Sequence, residues 1–556
     1  MRSIVFHSHW LALVMLFIAT PISHAGEPVA ATTLVNAPAS SATKSLQHAA
    51  DQIDGAFETV WQQTGITPSQ ISGDAEFCRR LHLDVTGIAP TPWQVRKFLE
   101  DTSPNKRSTL IDQLLASPEH ATHMATRWQQ RLLPDDTQTD PLLFQQRLAL
   151  HNWLRRQFRK NTRHDYLVGS FLTASGRQAR GPSVFYSAHE TQPEKLAAAT
   201  SKIFLGISLD CAQCHDHPFD RWTQDDFWQF AAFFSQVRTR EGMRQDAVRG
   251  TVQLTDDVNQ VLQFPESDRV MTPMYPGVKE KPEPDPDNKR RRQLAIWLAS
   301  RDNPYFARTA AGQVWHHLFG RQLMMPEELV EIVVDKAAAE TPLGRVRSDV
   351  LNQLSQQLTE HRFDLRRLYA IILRSRTYAR SSVPAKNATS PNNDRSFATM
   401  LVKTLSPEQI YDSMHRNILR SGTAVEVPEE NFNPLVAQGI REQFIARLRS
   451  TDADAQEYPH GVVQAMALMN GPEAQTMTLQ FRKGLMASLS APFFDNTQKI
   501  ETLFLATLSR FPTDEERKAF AESLSISEDA TNEELQDAIG DALWVLLNTA
   551  EFTVCP

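Results

Sequence analysis

The fold class is decided by a stretch with helical spacing, Asp364-Leu365-Arg366-Arg367-Leu368-Tyr369-Ala370-Ile371-Ile372. Ile371 and Ile372 follow Leu368 at three and four residues, which places the three apolar side chains on one face of an α-helix. The same stripe occurs earlier in the chain, at Ile111, Leu114 and Leu115. Stripes of this kind predict a mainly α protein whose helices each bury one face.

Helix starts recur along the chain. At each of them, a Ser, Thr or Asn side chain that can accept a hydrogen bond stands before a residue tolerated in the first helical turn, and apolar residues at helical spacing follow. These starts are Thr91-Pro92, Ser103-Pro104, Ser117-Pro118, Thr223 with Asp226, Asn303-Pro304, Ser406-Pro407 and Thr513 with Glu516. Their distribution predicts helices on both sides of the middle of the chain.

The pattern changes between residues 241 and 287. Thr251-Val252-Gln253-Leu254 alternates like a β-strand, and six prolines follow between residues 265 and 286. Proline at that density stops helices and favours extended backbone. We therefore predict two helical domains, residues 51–240 and 288–556, joined by a proline-rich, partly extended segment.

The N-terminus predicts export from the cytoplasm. An apolar run from Trp10 to Ile22 precedes the small-x-small sequence Ser23-His24-Ala25, as in a cleaved signal peptide of residues 1–25. A membrane anchor needs about 20 apolar residues, and this run is shorter and contains Pro21. Residues 26–50 are rich in Ala, Ser and Thr without periodicity, which predicts a flexible linker. The mature protein is expected in the periplasm or outside the cell, without a membrane span.

Charge and composition exclude several function classes. The chain has 58 Lys+Arg and 65 Asp+Glu, a net charge of −7, and its longest basic run is Arg290-Arg291-Arg292. Because it lacks a phosphate-neutralising stripe, no nucleic-acid partner is predicted. Glycine is only 21 of 556 residues, which leaves little for phosphate-cradling loops. No motif of a hydrolase or of a nucleotide-dependent enzyme is present, so enzymatic activity stays undecided and a redox role stays open.

The chemistry is concentrated in a C-x-x-C-H string, Cys211-Ala212-Gln213-Cys214-His215. With four Cys and 17 His in the chain, shuffling gives such a string in fewer than about one case in a thousand. In c-type haem attachment, two thiols one turn apart bond to one edge of the porphyrin and the next residue ligates the iron. The string therefore predicts haem c bound to Cys211 and Cys214, with His215 as an iron ligand.

Three other interpretations of the string stay open. Cys211 and Cys214 could form a disulfide, which an exported protein permits. They could instead join His215 and His217 around a zinc ion, or they could be inert buried cysteines. Outside the string, two unpaired cysteines are expected at positions 78 and 555, one of them buried.

Bound haem has a second axial position. His217 cannot reach it, because two residues span at most about 7 Å and the porphyrin lies between. The candidate ligands are Met271 and Met274 in the proline-rich segment and His316 and His317 in the second domain. For His317, one hypothesis is an approach to the haem from across the domain junction, with Trp315 packed nearby, and the competing one is a hydrogen-bonded core histidine. The neighbours that could tune the haem or transfer protons are Asp216, His217, Asp220 and Trp222.

Several motifs resemble a known pair of tandem domains. Phe204 to Trp222, followed by the aromatic helix from Phe227 to Phe234, closely resembles the first of two secreted domains of unknown function, numbered fifteen-forty-nine and fifteen-fifty-three. These domains are common in planctomycetes and are associated with planctomycete-type cytochromes. Further resembling motifs are Arg79 to Gly87 in the first domain, and Asn303 to Arg308, Trp315 to Arg321 and Ser375 to Tyr378 in the second. The resemblance covers roughly residues 55–555, although Gly312-Gln313 replaces the family's Asn-Arg.

The resemblance implies an architecture more than an activity, since the family's activity is unassigned. It also implies a setting beside sulfatase-like exported proteins and polysaccharide degradation. We therefore expect a secreted c-type haem protein that transfers single electrons, linked to extracellular polysaccharide breakdown, with a redox or sulfatase-like protein partner. The alternative is a non-enzymatic extracellular binding or scaffold protein with a CxxC disulfide or a metal clip.

Overall fold

The computed structural model describes most of the chain after residue 40. The described residues are 41–134, 141–177, 181–217, 221–241, 252–301, 303–324, 341–386, 396–419, 434–448, 466, 469, 471, 484–491, 493–524 and 531–556. The predicted signal peptide and residues 26–40 of the predicted linker lie outside them. Among the described helices, none combines the length and the apolar character that crossing a bilayer requires.

The described chain is mainly α-helical, which confirms the predicted fold class. Its helices are α1 (Ser41–Thr64), α2 (Asp74–Thr86), α3 (Pro92–Glu100), α4 (Lys106–Ala116), α5 (Pro118–Leu132), α6 (Pro141–Arg159), α7 (His164–Leu172), α8 (Val184–Ala188), α9 (Pro193–Thr200), α10 (Gln224–Ala231), α11 (Arg290–Leu298), α12 (Phe306–Phe319), α13 (Pro342–Glu360), α14 (Leu365–Leu373), α15 (Pro407–Met414), α16 (Pro434–Leu448), α17 (Gly484–Leu489), α18 (Asn496–Thr507), α19 (Asp514–Ser523) and α20 (Asn532–Leu547). Two π-helical turns, Ser201–Leu205 and His415–Leu419, continue α9 and α15.

Most of the predicted helix starts are confirmed by their caps. Thr91 Oγ1 accepts a hydrogen bond from the Gln94 amide at 3.3 Å, and Gln94 Oε1 accepts one from the Thr91 amide at 2.9 Å. This reciprocal arrangement satisfies two amides that a helix N-terminus otherwise leaves unpaired. The same capping box occurs at Thr223, Ser406 and Thr513. The start predicted at Ser103 is displaced, because residues 103–105 form a turn and α4 begins at Lys106.

Helix α1 corrects the predicted flexible linker. The linker was predicted to continue to residue 50, but α1 begins at Ser41. Ala49, Ile53 and Phe57 follow one another at intervals of four residues and are buried, so they form one apolar face of the helix. Composition alone suggested a spacer because Ala and Ser dominate the first turns, while the larger apolar residues that bury the helix come later.

The described strands are short: β1 (Gly176–Arg177), β2 (Val237–Glu241), β3 (Val252–Asp256), β4 (Leu262–Gln263), β5 (Val270–Met271), β6 (Lys403–Thr404) and β7 (Val554–Cys555). β3 lies between β1 and β2 in an antiparallel sheet, with Leu254 opposite Gly176 and Thr239. The strand predicted from the alternation at residues 252–254 is therefore confirmed. β4 pairs with β5 inside the proline-rich segment, and β6 pairs with β7.

Residues Ser45–Pro556 form one compact unit. Its larger core cluster includes buried residues from Ala49 to Met400, so apolar side chains from both sides of the predicted junction pack together. The buried side chain of Arg79 in α2 contacts the C-terminal part of the chain. Its Nη1 donates to the Thr507 carbonyl and its Nη2 to the Phe552 carbonyl, both at 2.9 Å. The exact domain bounds stay predictions.

Candidate functional site

The C-x-x-C-H string forms a surface turn with a buried underside. Residues Asp210–Gln213 make one turn of 3-10 helix. Leu209 and Ala212 are fully buried, whereas Cys211 and Cys214 are exposed. The apolar residues thus anchor the turn in the core while both thiols remain accessible from solvent.

Helix α10 fixes the backbone of this turn. Trp228 Nε1 donates to the Gln213 carbonyl at 3.1 Å. Gln224 Nε2 donates to the same carbonyl at 3.1 Å and to the Cys214 carbonyl at 3.3 Å. Since α10 begins with the capping box at Thr223, the position of Gln224 is set by the helix start. The turn is therefore held at its C-terminal end by two side chains of one helix.

His215 is exposed beside the two thiols. Its Nδ1 lies 2.7 Å from the Asp216 carbonyl oxygen, so Nδ1–H donates to that carbonyl. This bond leaves Nε2 as the nitrogen suited to ligate a metal. The carboxylate of Asp216 in turn accepts a hydrogen bond from the Gln224 amide at 2.8 Å.

The predicted neighbours of the string divide into surface and core residues. The His217 amide donates to the Trp222 carbonyl at 2.8 Å, which closes the loop after the string. Trp222 is buried, and the Arg221 guanidinium lies 4.5 Å above its ring centroid. Trp222 is thus a core residue beneath the site. Asp220 lies outside the described residues.

The four cysteines differ in exposure but not in pairing. All four cysteines are free, so neither Cys211–Cys214 nor Cys78–Cys555 is a disulfide here. Within the described residues, no three His, Cys, Asp or Glu side chains are grouped to hold a metal ion. Cys78 and Cys555 are both buried, although only one was expected to be, and burial raises the pKa of each thiol to about 12.

The proline-rich segment brings Met274 onto α10. The Met274 amide donates to the Gln229 carbonyl of that helix at 3.3 Å. Nearby, the rings of Trp228 and Phe264 are in edge contact with centroids 6.4 Å apart. The helix that holds the cysteine turn therefore also holds the segment that carries Met274. Met271, in β5, is buried in the core.

His317 is a hydrogen-bonded core histidine. Its Nδ1 lies 2.7 Å from the Tyr369 hydroxyl, and its Nε2 lies 3.4 Å from Nε2 of His123. Burial, reinforced by the positive charge of Arg127, holds the pKa of His317 well below its ordinary value. Both ring nitrogens of His317 thus have protein partners. Burial likewise lowers the pKa of His316, to about 4.

Sequence reasoning missed the partner of His317 and the cavity beside it. His123 lines a cavity of about 290 Å³ together with Arg127 and Arg131. The three residues recur at intervals of four on α5, so they lie on one face of that helix. That polar stripe was visible in the sequence and was the signal that could have revealed the cavity.

Two family models match the chain. The first, PSCyt2, described as a protein of unknown function (DUF1549), matches residues 52–239. The second, PSD1, described as a protein of unknown function (DUF1553), matches residues 290–524. The order agrees with the predicted resemblance. Neither a curated protein nor a solved structure matches the chain.

Proposed function

Because the chain belongs to the proteins that carry these two domains of unknown function in tandem, we propose its function from its own residues: a secreted c-type haem protein that transfers single electrons. The observation that carries the proposal is the surface turn on which Cys211, Cys214 and His215 are all exposed, with both thiols free. These three residues supply the donor set that covalent haem requires.

The turn suits covalent attachment because the chain need not open to expose its thiols. Leu209 and Ala212 stay in the core while Cys211 and Cys214 face solvent. Haem bound there would supply a one-electron couple at the protein surface. The surrounding chain would fix the orientation of His215 through its bond to the Asp216 carbonyl. An exposed site of this kind favours exchange with a second secreted protein.

As a further residue that would hold the haem, we propose Met274 rather than His317. Met274 is only partly buried and its segment is bonded to α10, the helix that holds the cysteine turn. His317 would have to give up its contact with Tyr369 or with His123. A haem iron bound by methionine has a higher midpoint potential than the same haem without a methionine ligand. Met274→Ala should therefore lower the midpoint potential, whereas His317→Ala should leave it unchanged.

Expression with a cytochrome c maturation system tests the proposal. The parent protein should show a Soret absorption band and keep its haem in denaturing gels. The double variant Cys211→Ser/Cys214→Ser should lose both signals. The matched control is Cys78→Ser/Cys555→Ser, which removes two thiols outside the turn and should keep both signals, with far-UV circular dichroism confirming its fold. A parent protein without covalent haem would contradict the proposal, and bound zinc in its place would favour the binding or scaffold alternative.

A further inference from the structure

The cavity of about 290 Å³ is lined by residues outside the cysteine turn. Helix α5 forms one wall, and α15 with the preceding Ser406 forms another. The two walls come from the two matched family regions. This volume falls near the lower end of the roughly 300–1,000 Å³ typical of small-molecule sites, so the cavity fits a small molecule rather than a polymer segment.

The carboxylates in the cavity wall already have cationic or amide partners. Asp412 accepts two hydrogen bonds from Arg441, at 2.9 and 2.8 Å. Glu408 Oε1 accepts one from Gln130 at 2.9 Å. Glu119 lies 4.0 Å from the Arg416 guanidinium. The acidic groups of the wall are thus engaged without any ligand.

Unlike the carboxylates, the two arginines of the wall, Arg127 and Arg131, have no carboxylate partner among the described residues. Within the part of the chain that the structure describes, the side chain of Arg127 forms no ion pair and donates no hydrogen bond. Arg131 donates to the neutral amide of Gln313 at 3.0 Å, and burial lowers its pKa to about 10. Like charges one helical turn apart repel each other, and burial adds a desolvation cost. Both costs would fall if an anion were bound between the arginines.

Besides the two arginines, the cavity wall contains threonine hydroxyl groups. Thr86, Thr122 and Thr126 line the cavity. Their hydroxyl hydrogens are used on helix carbonyls, of His82, Pro118 and Thr122 respectively. Thr126 Oγ1 also lies 3.1 Å from Nε2 of His151, so only the oxygens of Thr86 and Thr122 keep their full capacity to accept a hydrogen bond. Two acceptors beside two arginine donors match a molecule that carries both hydroxyl groups and an anionic group.

We propose that this cavity binds a small polyhydroxylated oxyanion, with Arg127 and Arg131 bound to its carboxylate, sulfate or phosphate group. The hydroxyl oxygens of Thr86 and Thr122 accept hydrogen bonds from the hydroxyl groups of the ligand. Guanidinium groups bind each of these oxyanions through paired, charge-assisted hydrogen bonds. The inference does not depend on haem at the cysteine turn.

Calorimetric titration of the full-length protein tests the proposal with four probes that share one ring. The probes are glucuronate, glucose sulfated at its primary hydroxyl, glucose phosphorylated at the same position, and unmodified glucose. At least one oxyanionic probe should bind about tenfold or more tightly than glucose, because a hydrogen bond to a charged group is stronger than one between neutral groups. The probe that binds best identifies the oxyanion. Equal binding of all four, or no binding, would overturn the proposal.

Variants separate a binding role from a structural one. Arg127→Gln should weaken the best probe about tenfold or more, while the melting temperature of the ligand-free protein stays the same or rises because charge repulsion is relieved. The matched control is Arg517→Gln on α19, which removes an ion pair with Glu501 and should leave binding unchanged. A lower melting temperature of Arg127→Gln together with unchanged binding would show that the arginine serves the fold and would overturn the proposal.

Discussion

Gly87 lies so close to His123 that a Cβ atom on residue 87 would fall 2.3 Å from Nδ1 of the histidine ring. Gly87 ends α2 in the left-handed conformation, with φ of 72°. The absence of a side chain at this position therefore serves two purposes. It permits the backbone conformation, and it leaves the space in which the His123 ring stands against His317.

Gly87→Ala should destabilise the protein by more than backbone strain alone. The left-handed conformation costs a non-glycine residue about 1–2 kcal/mol, and the displaced His123 ring adds packing loss to this. Gly65→Ala is a matched control, because Gly65 has φ of 68° and no neighbouring atom within 4 Å of the added Cβ. Urea denaturation of both variants measures the difference. Equal losses in the free energy of unfolding would contradict the close contact at Gly87.

Asp84→Asn should cost about 3–5 kcal/mol of stability, because it leaves a buried lysine charge without its counter-ion. The Asp84 carboxylate accepts hydrogen bonds from the Lys403 ammonium and from the Tyr378 hydroxyl, the latter at 2.9 Å. Asp225→Asn breaks an ion pair with Arg269 in which both side chains are nearly half exposed. That control should cost about 0–1 kcal/mol. Chemical denaturation compares the two, and similar losses would refute the buried ion pair.

The pH dependence of stability should include a contribution from Glu516. Hydrogen bonds from Arg510 lower the pKa of Glu516 to about 2 from its ordinary 4.5. A lowered carboxyl pKa stabilises the fold fully above pH 4.5, and this stabilisation is lost as the pH falls towards 2. The side chain is one-third exposed, so solvent screening limits the contribution to about 1 kcal/mol.

Glu516→Gln isolates this contribution. The amide keeps one side-chain oxygen for the Thr513 amide, which donates to Glu516 at 2.8 Å, and it removes the charge together with one of the two oxygens that accept from Arg510. The variant should be less stable than the parent at pH 6, and the difference should shrink as the pH falls to 2, where Glu516 is half protonated in the folded parent. A stability difference that does not change with pH would show that the charge of Glu516 contributes nothing.

In the protein without haem, two of the four thiols should react rapidly with a disulfide reagent at pH 8. Cys211 and Cys214 are exposed, whereas Cys78 and Cys555 are buried and have their pKa raised to about 12 by desolvation. Buried, protonated thiols are poor nucleophiles. The remaining two thiols should react only after denaturant is added. Rapid reaction of four thiols, or of none, would contradict the described surface turn.

The sequence predicted local features well, because local features depend on neighbouring residues. The cap at Thr223 and the strand beginning at Val252 follow from side chains within a few positions. The sequence predicts the C-x-x-C-H motif but not the exposure of its two thiols. That exposure depends on the burial of Leu209 and Ala212 in the core. No spacing rule places those residues.

Long-range partners could not be predicted in the same way. The contact of His123 with His317 joins α5 to α12 across 194 residues of sequence. His317 stood out because aromatic residues surround it, and that pattern suggested a haem contact. The structure instead surrounds it with Tyr369 and His123. Pairing of this kind is fixed by helix packing, which a single sequence does not show.

In the proposed function, Cys211 and Cys214 carry covalent haem. Mass spectrometry of the proteolytic peptide that contains both cysteines, from protein purified from its native host, tests it most directly. This peptide should be heavier than its sequence by the mass of one haem, bonded through both sulfur atoms. A peptide with two unmodified thiols, or with a disulfide between them, would contradict it.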